Sequence, residues 1–351
     1  MTASNDFLNI LRENEIVATK FHDVESKILS VLNYRDFFEA LLSEIMVRFY
    51  LPFVWISLIE EKEVTALILK SLGESQMLKD KLRIIGADYY QRLSGGRTSP
   101  LLANTELRPF YALFPENRNY LIKSIAIIPI TLDGEAIGSL NLADTDEERF
   151  QPDFETSLLE RLGLKVSLCL SNVTAHERLK FLAYHDPLTE LLNRRVLKKA
   201  LEREFQRAQR YDCPLSVTFI DMDHFKRIND RYGHEVGDIL LKAFATALRS
   251  LARTTDIVAR YAGDEFVVIF PETGMAEANI FLKRLEAFIA RTPPVVDGTR
   301  IPFSVSCGTA STEGGEYETH AALLKAADMA LYKRKKSKKC AAKNVHESLP
   351  N

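Results

Sequence analysis

Several features that mark specialised classes of protein are scarce in this 351-residue chain. Its four cysteines lie far apart and form no Cys-x-x-Cys pair, which argues against a disulfide framework or a zinc site and favours reduced thiols. The densest apolar run, residues 125–130, has the length of a strand, whereas a membrane-spanning helix needs roughly 20 residues. The first residues include acids and lack the basic start of a signal peptide. We therefore expect a cytoplasmic protein without a membrane span.

The chain also has no large excess of positive or of negative charge. Lys and Arg number 46 and Asp and Glu number 48, giving a net charge of −2. This balance argues against a general binder of nucleic acid or of membrane surfaces. The composition, with 46% hydrophobic and 27% charged residues, is typical of globular proteins, and at roughly 150 residues per domain the length predicts two or three domains.

The region 21–152, after an N-terminal segment 1–20, mixes helix and strand patterns. Apolar residues spaced near 3.6 predict an amphipathic helix over 35–49. Strands are predicted at 54–59 and 65–69. Residues 125–130 and 136–142 flank Asp133-Gly134, which predicts a tight hairpin because glycine accepts a positive φ. The region is therefore predicted to be an α+β module.

The residue pattern of the region 153–184 predicts a helix that connects two domains. Its apolar and small residues follow a 3-4-3-4 spacing, through Leu159, Leu162, Val166, Cys169 and Val173. Such a seam is typical of a helix that pairs with a second helix, which favours dimerisation through this segment. The alternative is that the seam packs on its own domain.

The region 185–343, followed by a tail 344–351, alternates strands and helices. Helices are predicted near 236–251, 276–290 and 321–335, strands at 215–220 and 301–310, and a hairpin from 257–261 and 266–270. Asp221 and Asp223 end the first strand, and Asp264 and Glu265 lie at the hairpin tip. Carboxylates at neighbouring strand ends suit Mg²⁺, which prefers oxygen ligands. The alternative is that these acids are solvated turn residues.

Four ordered motifs in this region resemble those of the GGDEF-domain diguanylate cyclases, which condense two GTP into cyclic di-GMP. The motifs are Asp186-Pro187-Leu188-Thr189 with Leu192-Asn193-Arg194-Arg195, the span from Asp221 to Asp238, Arg260-Tyr261-Ala262-Gly263-Asp264-Glu265-Phe266, and Ala327-Asp328-Met329-Ala330-Leu331-Tyr332. The resemblance implies a palm-like α/β domain with a central antiparallel sheet. It also implies a homodimer, because each domain presents one GTP.

The resemblance assigns roles to residues at the matching positions. Asp221, Asp264 and the carbonyl of Met222 would hold Mg²⁺ or Mn²⁺, with Glu265 as a further ligand or a base. Lys226 would hold the triphosphate. Asn229 and Asp238 would bind the guanine edge, where a carboxylate can accept from two donors that adenine lacks, and His234 would lie near the nucleoside.

The chain departs from the family pattern at two places. Ala262 replaces the usual first glycine of the signature. In the basic run 333–339, Lys335 matches a phosphate-binding lysine and Lys339 stands where the family has an arginine, within a Gly-Arg-Asn sequence that is absent here. Lys333, Lys336 and Lys338 are expected to be solvated residues at a helix end.

Two further resemblances concern regulation. Arg253 and Asp256 have the Arg-x-x-Asp spacing of the family's product-inhibition site, with Arg284 as a further contact. The region 21–152 resembles a GAF-type sensor that would receive an unidentified small-molecule or protein input. The predicted function is a diguanylate cyclase regulated by this sensor and by its product. The alternative is an inactive receptor for cyclic di-GMP or a GTP-binding regulatory protein.

Overall fold

The computed structural model describes residues 2–72, 75–116, 118, 120–314 and 317–347, and the side chains of residues 2–14, 314 and 339–347 are outside this description. The chain divides into two compact units, Met1–Leu179 and Lys180–Asn351. Among the helices of the described residues, none combines the length and the apolar character needed to cross a bilayer.

The first unit consists of one mixed sheet with helices. Its elements are α1 (Thr2–Leu29), α2 (Tyr34–Phe49), β1 (Phe53–Ile59), α3 (Glu63–Ser71), α4 (Gln76–Lys79), β2 (Leu82–Ile85), α5 (Ala87–Ser94), β3 (Leu101–Ala103), a 3₁₀ helix (Arg108–Leu113), β4 (Ser124–Leu132), β5 (Glu135–Asp144) and α6 (Ser157–Tyr184), whose last residues belong to the second unit. The strand order is β2-β1-β5-β4-β3, and the β1–β2 pair is parallel.

The predicted helix over 35–49 and the predicted hairpin are confirmed as α2 and as β4–β5. The side chain of Asn33 caps α2 by accepting a hydrogen bond from the Asp36 N–H. The hairpin turn has positive φ at Asp133 (52°) and at Gly134 (83°). The turn chemistry visible in the sequence therefore predicted this hairpin correctly.

The strand predicted at 65–69 is wrong, because these residues lie in α3. The buried residues of this helix are Val64, Thr65 and Ile68, which occupy one face at helical spacing. The Thr65 hydroxyl donates to the Ile59 carbonyl at 2.7 Å, which fixes the start of the helix after β1. A short apolar run rich in β-branched residues does not distinguish a strand from a buried helix.

The 3-4-3-4 seam of α6 is buried inside the first unit. Four of its five residues, Leu162, Val166, Cys169 and Val173, belong to the hydrophobic core formed with α1, α2 and the sheet, and Leu159 packs against that core. The alternative, packing on its own domain, is what the structure shows. The prediction that this seam pairs with a second helix is therefore wrong, because its side chains are already covered.

The second unit also contains one mixed sheet. Its elements are β6 (Leu192–Asn193), α7 (Arg194–Tyr211), β7 (Leu215–Met222), α8 (Phe225–Tyr232), α9 (His234–Leu251), β8 (Ile257–Ala262), β9 (Glu265–Pro271), α10 (Met275–Arg291), β10 (Val295–Val296), β11 (Thr299–Arg300), β12 (Val305–Ser311) and α11 (His320–Glu347), with β10–β11 as a separate hairpin and a 3₁₀ turn at Thr312–Gly314. The predicted helices and the β8–β9 hairpin are confirmed, although α11 extends beyond 335 and β12 begins later than 301.

The sheet order is β12-β7-β9-β8-β6, and the prediction of a central antiparallel sheet needs one correction. The first four strands pair antiparallel, but β6 pairs with β8 in parallel. The two-residue β6 carries too little pattern to be recognised in the sequence. Hydrophobic cores cover both faces of the sheet, and β7 and β9 lie at its centre.

Candidate functional site

The predicted acidic residues meet where β7 ends beside the β8–β9 hairpin. Asp221 on β7 is opposite Glu265 on β9 in the strand register. The Met222 N–H donates to the carbonyl of Asp264 at 3.2 Å. Gly263 has a φ of 48°, which permits the two-residue turn that places Asp264 at the tip. The structure thus brings Asp221, Met222, Asp264 and Glu265 to one edge of the sheet.

The electrostatics of this edge fit a cation. Burial raises the pKa of Asp221, the Lys335 ammonium opposes the rise, and Asp264 and Asp223 add to it. Burial also raises the pKa of Glu265, and the neighbouring charges of Asp221 and Asp264 raise it further. Carboxylates that repel one another are stabilised by a hard divalent cation.

The donor set for that cation is small. In the part of the chain that the structure describes, no group of three His, Cys, Asp or Glu side chains could hold a metal ion. The predicted set has only two carboxylates, Asp221 and Asp264, and depends on the Met222 carbonyl as its third oxygen. Such a set leaves positions free for phosphate oxygens, which is typical of Mg²⁺ sites that bind nucleotides.

Helix α11 places two lysines over this edge. Lys335 Nζ lies 2.5 Å from Asp221 Oδ2. Lys338 Nζ lies 2.8 Å from Asp223 Oδ2 and also donates to Ser306 Oγ and to the Val305 carbonyl. The expectation that Lys338 is a merely solvated residue is therefore wrong. The predicted phosphate ligand Lys339 lies outside the residues whose side chains are described.

Asp223, which the sequence groups with the strand-end carboxylates that suit a cation, instead has protein hydrogen-bond partners that the sequence did not reveal. Its carboxylate accepts hydrogen bonds from Ser304 and Ser306, at 2.8 and 2.6 Å, in addition to Lys338. Burial alone raises the pKa of Asp223, but these hydrogen bonds outweigh it and lower the pKa. Asp223 therefore joins the end of β7 to the start of β12 and to α11.

The predicted nucleotide-binding residues lie on α8 and α9. Lys226, His234 and Asp238 are exposed. Asn229 Oδ1 is buried and has no hydrogen-bond partner among the described residues. It lies against Gly237, where an added Cβ would be 1.9 Å away, so the missing side chain of Gly237 provides the space for this amide.

Arg260 links the hairpin tip to the beginning of the second unit. Its guanidinium donates to Asp186 Oδ1 at 2.9 Å and to the Gly263 carbonyl at 2.8 Å. Asp186 also accepts from the Thr189 backbone and hydroxyl. The motifs that contain Asp186 and Arg260, 74 residues apart in the sequence, are therefore in direct contact. The spacing of residues in the sequence does not predict this contact.

The predicted product-inhibition residues line one cleft. Arg253, Asp256 and Arg284 all border it, together with apolar residues of α9, β9 and α10. The Asp256 carboxylate accepts a hydrogen bond from the backbone N–H of Arg253 at 2.7 Å. This bond between a side chain and the main chain closes the Arg-x-x-Asp turn. Burial raises the pKa of Asp256, and this hydrogen bond opposes the rise.

Comparison with known proteins identifies the same region. The model of the GGDEF diguanylate cyclase domain matches residues 183–340. Diguanylate cyclase DgcP of Pseudomonas aeruginosa is 41% identical over 155 residues, which cover 44% of this chain and 23% of DgcP. Response regulator PleD of Caulobacter vibrioides is 40% identical over 158 residues, covering 44% of this chain and 35% of PleD.

Solved structures are also similar to part of this chain. The GGDEF domain of DgcB from Caulobacter crescentus, solved with c-di-GMP, is 29% identical with a TM-score of 0.42, and the match covers 44% of this chain and 91% of that one. The chain thus matches a quarter to a third of the length of its curated relatives and most of an isolated GGDEF domain. Residues 183–340 are a GGDEF diguanylate cyclase domain.

Proposed function

We propose that this chain is a diguanylate cyclase that condenses two GTP into cyclic di-GMP and two pyrophosphates. The observation that carries the proposal is the convergence of Asp221, Met222, Asp264 and Glu265 at one sheet edge. The name of DgcP and the family of residues 183–340 support the same activity. GTP as the substrate also makes the cytoplasm the proposed location.

In each half-reaction a ribose 3′-hydroxyl attacks the α-phosphorus of the other GTP. The bond from the α-phosphorus to the bridging oxygen breaks, and pyrophosphate leaves. Bound between Asp221, Asp264 and the Met222 carbonyl, Mg²⁺ or Mn²⁺ would neutralise developing phosphate charge. Glu265 accepts the hydroxyl proton or adds a ligand, and its raised pKa suits a proton acceptor. Lys226, Lys335 and Lys339 bind the phosphates.

Guanine selection is assigned to Asn229 and Asp238, with His234 beside the nucleoside. A carboxylate can accept from both the N1–H and the 2-amino group of guanine, which adenine does not offer together. The unpartnered Asn229 oxygen, which lies against Gly237, the residue before Asp238, is a further acceptor. The expected product of an equimolar mixture of ATP and GTP is therefore cyclic di-GMP, without a mixed dinucleotide as the main species.

The test of the activity is synthesis by the full chain with GTP and Mg²⁺, followed chromatographically. Asp264→Asn is expected to lower the rate at least 100-fold while the unfolding transition stays unchanged, because the change removes a cation ligand from a hairpin tip. Asp230→Asn, an exposed acid on α8, is the matched control. Near-normal synthesis by Asp264→Asn contradicts the assignment. A chain that binds cyclic di-GMP and makes none is a receptor instead.

We also propose feedback by the product at the cleft lined by Arg253, Asp256 and Arg284. A guanidinium suits the N7 and O6 atoms of guanine or a phosphate. Arg253→Ala is expected to weaken non-competitive inhibition by cyclic di-GMP at least tenfold. Lys283→Ala, an exposed cation on α10 outside the cleft lining, is the control. Retained inhibition in Arg253→Ala, or inhibition that is purely competitive with GTP, places the effect elsewhere.

The first unit is proposed to be a GAF-like sensor that receives a small-molecule or protein input. Its support is the five-stranded sheet with helices and the continuous α6, which runs from this unit into the second. Such a helix can transmit a change of orientation or of strain. The sensor proposal predicts that the isolated second unit loses the response to the input.

A homodimer is part of the proposed mechanism, since cyclic di-GMP has two guanylate halves and the proposed reaction uses one acidic site in each chain. A different face of α6 from the buried seam suits a second copy. Leu164, Leu168 and Leu179 are 60%, 56% and 67% exposed. At 100° per residue these three residues and the exposed Ala175 span an arc of about 60° around the helix axis, roughly opposite the buried seam. Pairing of this exposed leucine face would cover it in a dimer.

A further inference from the structure

Lys335 is in direct contact with a residue that the proposed reaction requires for another purpose. Its ammonium lies 2.5 Å from Asp221 Oδ2, and the Asp221 side chain is only 10% exposed. Mg²⁺ binds carboxylate oxygens at about 2.0–2.1 Å and repels a neighbouring ammonium. A cation at this carboxylate oxygen and the Lys335 ammonium in its present position therefore compete for the same atom.

The rest of α11 is held independently of that contact. Lys338, one turn further along, contacts Asp223, Ser306 and the Val305 carbonyl. Leu331, one turn before Lys335, is buried in the core against the sheet. The helix can therefore stay in place while the flexible four-carbon stem of Lys335 changes rotamer.

We propose that Lys335 is an exchangeable counter-ion of the cation site, which neutralises Asp221 until a divalent cation displaces it. The displaced ammonium then lies beside the site, where the phosphates of the nucleotide would bind. This second half rests on the proposed function, whereas the first half concerns only the competition between two cations for Asp221. The exchange favours binding of the cation before the nucleotide. The entering cation releases the Lys335 ammonium, which can then bind the phosphates of the nucleotide.

The proposal predicts effects of opposite sign on two affinities. Removing the ammonium eliminates a competitor for Asp221, so the affinity for a divalent cation alone should rise. Removing it also deletes a phosphate ligand, so the affinity for a nucleotide should fall. A lysine that served only to support the fold would weaken both affinities or change neither.

The first experiment measures binding of Mn²⁺ alone to the full chain, by the electron paramagnetic resonance signal of free Mn²⁺. Lys335→Met is expected to lower the dissociation constant about tenfold, equivalent to ~1.4 kcal/mol. Lys335→Arg, which keeps the charge, should resemble the natural chain. Lys336→Met is the charge-matched control, since this exposed lysine makes no contact with the acidic edge in the described part of the chain. Equal or weaker Mn²⁺ binding by Lys335→Met overturns the proposal.

Lys335→Gln provides a second neutral variant, and thermal unfolding without metal verifies that each variant is folded. The second experiment measures binding of a non-hydrolysable GTP analogue in saturating Mn²⁺, where Lys335→Met should bind at least tenfold more weakly. If the Mn²⁺ result is as expected and no variant, nor the natural chain, binds the analogue, the exchange at Asp221 stands and the proposed function fails. If the analogue binds equally to Lys335→Met and to the natural chain, the transfer of the lysine to phosphate is refuted.

Discussion

Arg260 shows how one side chain can determine the geometry of the site without carrying out chemistry. It is 14% exposed and donates to both Asp186 and the Gly263 carbonyl. Burial alone raises the pKa of Asp186, but the hydrogen bonds from Thr189 and Arg260 outweigh this effect and lower the pKa. The turn that carries Asp264 is therefore tied to the first residues of the second unit.

Arg260→Met is expected to lower the free energy of unfolding by about 2–3 kcal/mol, because it leaves the Asp186 carboxylate partly buried without its charged partner. The proposed cyclase activity should fall as well, since the turn at Gly263 loses its support. Denaturant unfolding and turnover measure the two effects. Arg291→Met, an exposed cation at the end of α10, is the control and should change neither. A loss no greater than that of the control contradicts the role of Arg260.

The same pair predicts a pH dependence with a definite sign. The pKa of Asp186 is lower in the folded chain than the value of about 3.9 for an unfolded aspartate. Its stabilising contribution is therefore present above about pH 4 and is lost as the pH falls through the lowered pKa. The difference in unfolding free energy between the natural chain and Arg260→Met should shrink below about pH 4. A difference that stays constant from pH 7 to pH 3 contradicts this assignment.

At this scale the sequence predicted what is local. Asp221, Asp264 and Glu265 could be found because each follows or precedes a recognisable strand, and neighbouring strand ends meet at one edge. The contact of Lys338 with Asp223 spans 115 positions and depends on the rotation of α11 against β12. No spacing within the basic run 333–339 encodes that rotation, so Lys338 resembled its solvated neighbours.

Among the elements, α11 and β12 make the contact on which both lysines depend. Gly308 on β12 lies directly under α11: a Cβ added there would be 2.0 Å from the Leu331 nitrogen and 2.4 Å from the Ala327 carbonyl oxygen. Both are backbone atoms, so the helix as a whole would have to move. The close approach of α11 to the sheet requires glycine at this position.

Gly308→Ala is therefore expected to lower the free energy of unfolding by about 2–3 kcal/mol, as overpacked sites do. The control is Gly298→Ala, where φ is 76° and no heavy atom lies within 4 Å of the added Cβ. That change should cost only about 1 kcal/mol of backbone strain. Denaturant unfolding compares the two variants. Equal losses would mean that α11 can shift away from β12 without cost.

Elements with turn or capping signals were predicted well, and elements defined by burial were not. The hairpins β4–β5 and β8–β9 have glycine at positive φ, which the sequence displays. The apolar pattern of the α3 segment fits either a strand or a buried helix. The α6 seam fits either pairing with a second helix or packing on its own domain. Which interpretation is correct depends on neighbouring elements: α3 is buried on one side only, and the α6 seam is already covered by the core of the first unit.

For the whole molecule, the proposed reaction requires two chains, and the exposed leucine face of α6 is the surface proposed to join them. Burying one leucine contributes about 2 kcal/mol, so losing two from each of two chains removes about 8 kcal/mol of association energy. A loss of that size raises the dissociation constant about a millionfold, so that even a nanomolar dimer would dissociate at micromolar concentration. The double variant Leu164→Lys with Leu168→Lys should therefore be monomeric at micromolar concentration.

Light scattering measures the mass of this variant, and turnover per chain should fall with the dimer fraction because each site needs a second GTP from a partner. Both substituted residues are exposed, so the unfolding transition should not change. Val47→Lys, which alters an exposed apolar residue of α2, is the control and should leave mass and turnover unchanged. A double variant that remains a dimer excludes this face as the interface. A monomeric variant with full turnover at low concentration contradicts the requirement for two chains, because one chain cannot present two GTP from a single acidic site.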